Sequence, residues 1–474
     1  MATDNAPLME RAFRVPPVEQ SGPVPVHGTI PDYLRGTCFW NGPGRHRRGG
    51  FEYRHWLDGD GMVSALTFSD AGVHFTNRFV RSEKFVREEA EGRPVFRTFG
   101  TAFPGDELKR GIGLVSPVNV SVYPFAGTLL AFGEQGLPWE LDRTTLETRG
   151  LYTFGGQLNE ITPFSAHAKV DHHTGELFNF GVSFSTANPT MNLFRFAADG
   201  HLVYRRRVSL PYAASTHDFC LSEHYAAVFV SPYVLRMDRL LNERATLVDA
   251  LSWEPEQGSW LIVCSRETGE EVARLRVGHG YCLHMVNAFE KDGHLIVDYV
   301  DYEKPLYPEY QVIPDLFTDT FAGYPVRLTI DLAAPAVVDR RQLEYHASPD
   351  FPAHDPDLMG REYDHFWMLG ISKSGTPGRK FFDHVVRVDW STGEAEIGMA
   401  TPGCYFGGEP IFVPDPAAPS SSGVVICQEL DAERQASTIL VWDAFDLAAG
   451  PRARVPLDAP IQPQFHSTFD RASR

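Results

Sequence analysis

The sequence predicts an all-β chain closed on itself, a β-propeller of six to eight sheets, and three observations predict it. First, one phrase recurs from about residue 36 to the end: a short run of alternating or β-branched apolar residues, a turn signal, then another such run. Second, long stretches of helical periodicity are nearly absent. Third, no shift in composition marks a second domain in a chain of 474 residues. Many short strands at steady spacing, over more than four hundred residues, suit radial repetition better than one barrel.

Residues 1 to about 35 are rich in proline and carry Gly22-Pro23, which predicts an extended arm lying over the body, with 36–474 as a single propeller domain. Strands are expected at Thr128–Phe132, Tyr225–Val230, Ser259–Val263, His294–Val300, Val385–Val388 and Gly423–Cys427. The turns repeat as well. Thr-Gly-Glu follows a strand-like run at 174–176, 268–270 and 392–394, and Asp-Gly-His stands at 199–201 and 292–294. The best helical candidates are Val234–Asn242 and the region near Asp106–Lys109.

Charge and cysteine usage narrow the functional classes. Lys plus Arg is 43 against 61 Asp plus Glu, a net charge of −18, so the field repels phosphate backbones and nucleic acid is excluded as a partner. The six cysteines form no CxxC pair, which suits free thiols in a reducing compartment. The first residues lack the features of a signal peptide, and no apolar run is long enough to span a bilayer. A cytoplasmic location is the expectation.

An isolated histidine among 18 is poor evidence of a site, and His172, His173, His201 and His294 lie in turn phrases. No HExxH, HxH or facial-triad spacing is present. His167, His217, His284 and His466 differ by position. Each stands at the inner end of an apolar strand, and they are far apart in sequence. Such residues meet at one point only if inner strands converge on an axis, which a propeller supplies.

Phrases spread along nearly the whole chain carry a resemblance. They include Leu34–Gly44, His55-Trp-Leu-Asp-Gly-Asp-Gly-Met62, Glu134–Asp142, Ala166–Asp171, Thr216-His-Asp-Phe219, His284–Ala288, Gly408–Pro414 and Phe465-His466. In these the chain resembles the carotenoid oxygenase family, which includes apocarotenoid- and lignostilbene-cleaving enzymes. The resemblance implies a seven-bladed β-propeller, capped by loops and short helices over an axial Fe(II) bound by His167, His217, His284 and His466. It also implies three glutamates fixing the second ring nitrogens: Glu134, Glu409 and Glu344, with Glu362 as the spare candidate. The Asp58-Gly-Asp-Gly61 stretch lacks the closing glutamate of a calcium loop and reads as a tight turn, with His55 structural.

The implied reaction adds both atoms of O2 across a carbon–carbon double bond of a conjugated substrate, giving two carbonyl products in a dry tunnel. No side chain beyond the iron shell is assigned a catalytic role. Stilbene- and phenylpropene-cleaving members typically carry a lysine directly before the glutamate matching Glu134; here that residue is Gly133. Its loss favours an apolar, apocarotenoid-like polyene over a stilbene, and a propeller that binds ligands without chemistry is the non-enzymatic alternative. A polyene partitions into membranes, so weak peripheral membrane contact at a tunnel mouth is expected, with Gly111–Val115 as its candidate.

Overall fold

In a computed structural model, which describes residues 6–471 apart from 17, 110–112, 184, 186 and 313–315, the chain forms seven sheets of four or five antiparallel strands. These are the blades of a seven-bladed propeller, numbered here from the sheet where the chain ends meet. Blade 1 holds Gln20–Pro23, Gly36–Arg45, Asp60–Ser69 and Gly72–Phe79, with the C-terminal strand Ser467–Arg471 paired to Gly36–Arg45. Blades 2 to 6 follow in chain order, their first strands being Ser121–Phe125, Lys169–Val170, Phe219–Leu221, Met285–Lys291 and Asp350–Ala353. Blade 7 runs from Cys404–Pro414 to Pro451–Pro456 and takes His27–Gly28 at its far edge.

The ring is therefore closed twice: a C-terminal strand lies innermost in blade 1, and a piece of the N-terminal arm lies outermost in blade 7. The arm is not extended throughout. Met9–Arg14 is a 3₁₀ helix whose Met9, Ala12 and Phe13 are buried against the core. Every strand expected from its apolar pattern is a blade strand. The three Thr-Gly-Glu phrases are hairpin turns, and in each the glycine takes the left-handed conformation that any side chain disfavours (φ 72°, 73° and 77°). In each turn the glycine N–H bonds the carbonyl four residues back.

Helices depart from expectation. The 234–242 stretch is divided between the strand Tyr233–Leu235 and the short helix Met237–Asn242, and 106–109 holds only isolated bridges. A nine-residue helix at Glu83–Glu91 has no apolar stripe to betray it, although Ser82 caps its start and Gly92 (φ 64°) ends it. Its buried face sets one phenylalanine, Phe85, between two charged residues, Lys84 and Glu88. Lys84, wholly buried, lies 2.7 Å from Asp60 and 2.9 Å from Glu88, while Arg48 reaches Asp60 at 2.6 Å. Burial alone would raise the Asp60 pKa, but Lys84 and Arg48 outweigh it and hold the carboxylate below its ordinary range.

Lys84→Met leaves two buried carboxylates short of a cation and is expected to cost about 3–5 kcal/mol, read as a lower urea midpoint. Because the folded pKa of Asp60 is depressed, its contribution is complete above the unfolded carboxylate pKa and is lost as pH falls through the folded one. The gap between parent and variant should accordingly narrow in acid.

Candidate metal centre

Each of the four histidines sits one or two residues ahead of an innermost strand: His167 before Lys169–Val170, His217 before Phe219–Leu221, His284 before Met285–Lys291 and His466 before Ser467–Arg471. Inner strands of a propeller point along the axis, so residues at their leading ends converge. The ligand nitrogens of the four lie within 4.8 Å of one another, and the four residues are 3–6% exposed. His217 Nε2 is 2.8 Å from His167 Nε2 and 3.2 Å from His284 Nε2.

Blades 3, 4, 5 and 1 supply the imidazoles, and the remaining three supply carboxylates. Glu134 of blade 2 accepts the His217 Nδ1 proton at 2.8 Å, and Asp350 of blade 6 accepts that of His284 at 2.5 Å. Glu409 of blade 7 is 3.4 Å from His466 Nδ1 and also accepts the Ser467 N–H at 2.9 Å. Asp218, held by Lys169 at 2.8 Å and by the Phe219 and Met285 N–H groups, stands 3.6 Å from His167 Nδ1.

Asp350 corrects the sequence expectation. Glu344 and Glu362 are both exposed, and Glu362 pairs with Lys291 on the surface. A shorter side chain suffices because Asp350 opens its inner strand right beside His284. The next residue, Phe351, is buried with φ 56°, a strained conformation for a bulky residue that turns its N–H onto the same carboxylate. The expectation also lacked two tyrosines from the turn Tyr307–Tyr310. Tyr310 donates to the other Asp350 oxygen at 2.7 Å, and Tyr307 Oη lies 2.8 Å from His217 Nδ1. Burial raises both phenol pKa values, which keeps the hydroxyls protonated. Neither tyrosine has a periodic or motif signal in the sequence.

This donor set fits a metal ion. With Nδ1–H committed to a carboxylate, His217 and His284, when both are neutral, direct Nε2 lone pairs at one another across 3.2 Å, an arrangement that favours a cation between them. Burial, then the neighbouring imidazoles, holds His167 well below its ordinary pKa and therefore neutral, and burial lowers that of His466. At His284 burial acts the same way but is overcome by Asp350, and its pKa is raised. Neutral imidazoles suit iron, zinc, copper or nickel. Beside the cluster lies a cavity of about 520 Å³, walled by Phe99, Leu137, Trp139, Phe164 and Leu251, with Glu134 and Thr216 on its inner wall.

Such a propeller, with a ring of axial imidazoles backed by carboxylates and an apolar pocket beside it, is the architecture of an oxygenase. A family model described as retinal pigment epithelial membrane protein matches residues 13–471, and the chain belongs to that family, the carotenoid oxygenases. It is 31% identical to the apocarotenoid-15,15'-oxygenase of Synechocystis sp., covering 94% of this chain and 92% of that one. It is 29% identical to the isoeugenol monooxygenase of Pseudomonas putida, over 94% and 93% of the two chains. It is also 29% identical to the lignostilbene-alpha,beta-dioxygenase isozyme III of Sphingomonas paucimobilis, over 95% and 94%. A crystal structure of cobalt-substituted Synechocystis apocarotenoid oxygenase superposes with a TM-score of 0.89 at 28% identity, covering all of both chains.

Asp350→Ala should weaken divalent-metal binding about 10- to 100-fold in a chelator-competition titration, while Glu344→Ala leaves it unchanged. Equal affinities in the two variants would overturn the Asp350 assignment.

Proposed function

We propose that His167, His217, His284 and His466 hold one Fe(II), and that the protein cleaves a carbon–carbon double bond of an apolar, apocarotenoid-like substrate with O2 to give two carbonyl products. The observation that carries this reading is the four-imidazole cluster, locked by Glu134, Asp350 and Glu409, with an apolar cavity on the far side of Glu134 and Thr216. Iron bound there supplies O2 activation. The chain's own task is to keep four imidazole donors in one geometry, to align the substrate, and to exclude water. Phe99 packs on Tyr307 with ring centroids 4.9 Å apart, so the pocket wall rests directly on the imidazole shell.

The pocket favours a polyene. A Cβ at Gly133 would lie 1.8 Å from Ser116 Oγ and 3.1 Å from the Val118 backbone, so a side chain at the position where stilbene-cleaving members place a lysine requires Ser116 to move here. Among the described residues, no tyrosine lines this cavity; its charged groups are Glu134, which is bonded to His217, and Glu83, Lys109 and Glu160, which are partly exposed. Leu151 and Ile161, 37% and 64% exposed, line the same cavity and offer an apolar surface to a membrane-dissolved substrate. Of the stretch expected to make that contact, 111–112 lie outside the described residues, Leu114 is half-buried and Val115 is buried. No helix among the described residues is long and apolar enough to cross a membrane. The six free, buried cysteines are consistent with a cytoplasmic setting.

A second reading, cleavage of a stilbene or phenylpropene, draws support from the near-equal identity to the isoeugenol and lignostilbene enzymes. Thr216 Oγ1, buried and unpaired in the wall of the cavity, offers a phenolic hydroxyl one partner.

Iron-loaded protein should convert an apocarotenal to aldehydes, detected by mass spectrometry, and turn over a hydroxystilbene far more slowly. Turnover of the stilbene alone would establish the second reading. His217→Ala should abolish both bound iron and turnover with the circular dichroism spectrum preserved. A purified parent protein that holds no stoichiometric iron after anaerobic loading would instead indicate a non-enzymatic binding propeller.

A further inference from the structure

A second cavity, also of about 520 Å³, runs along the propeller axis from the imidazole cluster toward the opposite face, and the proposed reaction makes no use of it. His167, His284 and His466 form its inner end, whereas the apolar cavity has none of the four histidines in its wall. The inner strands start beside the cluster and line this channel as they run away from it. His354 follows the strand Asp350–Ala353 and is roughly 13 Å along the chain from Asp350 at the rise of an extended strand. The outer end is polar, with Asp357 paired to His172 at 3.1 Å and to Arg471 at 2.8 Å, all three partly exposed.

The two cavities differ in what they offer a hydrated dication. A metal ion sheds water only as protein ligands replace it, and an apolar wall gives none. The axial wall carries five carboxylates: Asp171, Asp218, Asp357 and Asp470 are paired with Arg266, Lys169, Arg471 and Arg143, and Glu409 stands beside His466 at the inner end. His354 lines the same channel. Its Nε2 is shielded from solvent and makes no hydrogen bond, and burial, followed by the Lys169 charge, lowers its pKa to about 4, leaving a neutral ring with a free lone pair. The net charge of −18 favours cation approach from any side.

Resting on the metal-centre reading above, we propose that the axial channel is the route by which the metal ion reaches and leaves the four histidines, with Asp357 at its mouth and His354 as an intermediate ligand. Substrate and metal then use opposite doors, and a pocket filled with a hydrophobic ligand does not block metal loading.

Stopped-flow loading of Co(II) into the apoprotein, followed by its visible absorption, and release to excess chelator test this. Ala353→Trp, which narrows the channel, should slow both loading and release by at least about tenfold and leave the equilibrium Kd within threefold. His354→Phe, which keeps the ring volume and removes the lone pair, should slow loading to a lesser degree. Ala213→Trp, in the wall of the apolar cavity, should change neither rate. Parental rates in Ala353→Trp, or slowing confined to Ala213→Trp, would overturn the proposal. If Ala353→Trp does not fold, His354→Phe decides, and parental loading there overturns it. Failure of the parent protein to bind Co(II) at all would refute the metal centre, and the channel with it; tight binding at rates indifferent to every variant refutes the channel alone.

Discussion

The structure turns on a conflict between imidazole nitrogens. Two rings whose outer nitrogens are committed to carboxylates bring their inner lone pairs to 3.2 Å, a third inner nitrogen lies 2.8 Å from the first, and the group is buried. Neutral donors do not gather in this way for their own stability. Holding them together requires a scaffold whose elements all point at one line, and a ring of blades does this with no local metal motif in the sequence. The price is long-range closure, met by seating a C-terminal strand in blade 1 and an N-terminal one in blade 7.

The carboxylates show how evenly the task is divided around the ring. Blades without a histidine contribute Glu134, Asp350 or Glu409, so every blade has a part in the centre. Tyr307 and Tyr310, from a turn of four residues, lie against two of these pairs, and the Tyr307 carbonyl accepts the Nε2 proton of the buried His55 at 2.8 Å. His55 belongs to the Asp58-Gly-Asp-Gly phrase. That phrase is thus tied to the metal shell by one hydrogen bond and one turn, which gives the histidine the structural part its sequence suggested. Hydrogen bonds of this kind, shielded from water, fix ring orientation more firmly than exposed ones would.

Much of this was legible in the residues, for a physical reason in each case. Strands such as Gly423–Asp431 announce themselves because both faces are buried, and the Thr-Gly-Glu turns because only glycine takes the required conformation freely. The four histidines were legible because each interrupts an apolar strand start. Asp350 was not. A carboxylate one methylene shorter than the expected glutamate works there through a strained Phe351, and strain leaves no trace in composition. The helix Glu83–Glu91 escaped because two of the three residues it buries, Lys84 and Glu88, are charged. Gly133 was read as the absence of a lysine. Its surroundings add that Ser116 occupies the space, which no linear pattern reveals.

X-ray absorption of the Fe(II)-loaded protein is the most direct examination of this account. It should show a nitrogen-dominated shell with the multiple-scattering pattern of four imidazoles and no carboxylate oxygen from Glu134, Asp350 or Glu409 bound to iron. A shell with fewer than four imidazoles, or with a protein carboxylate coordinated in place of one, would contradict it.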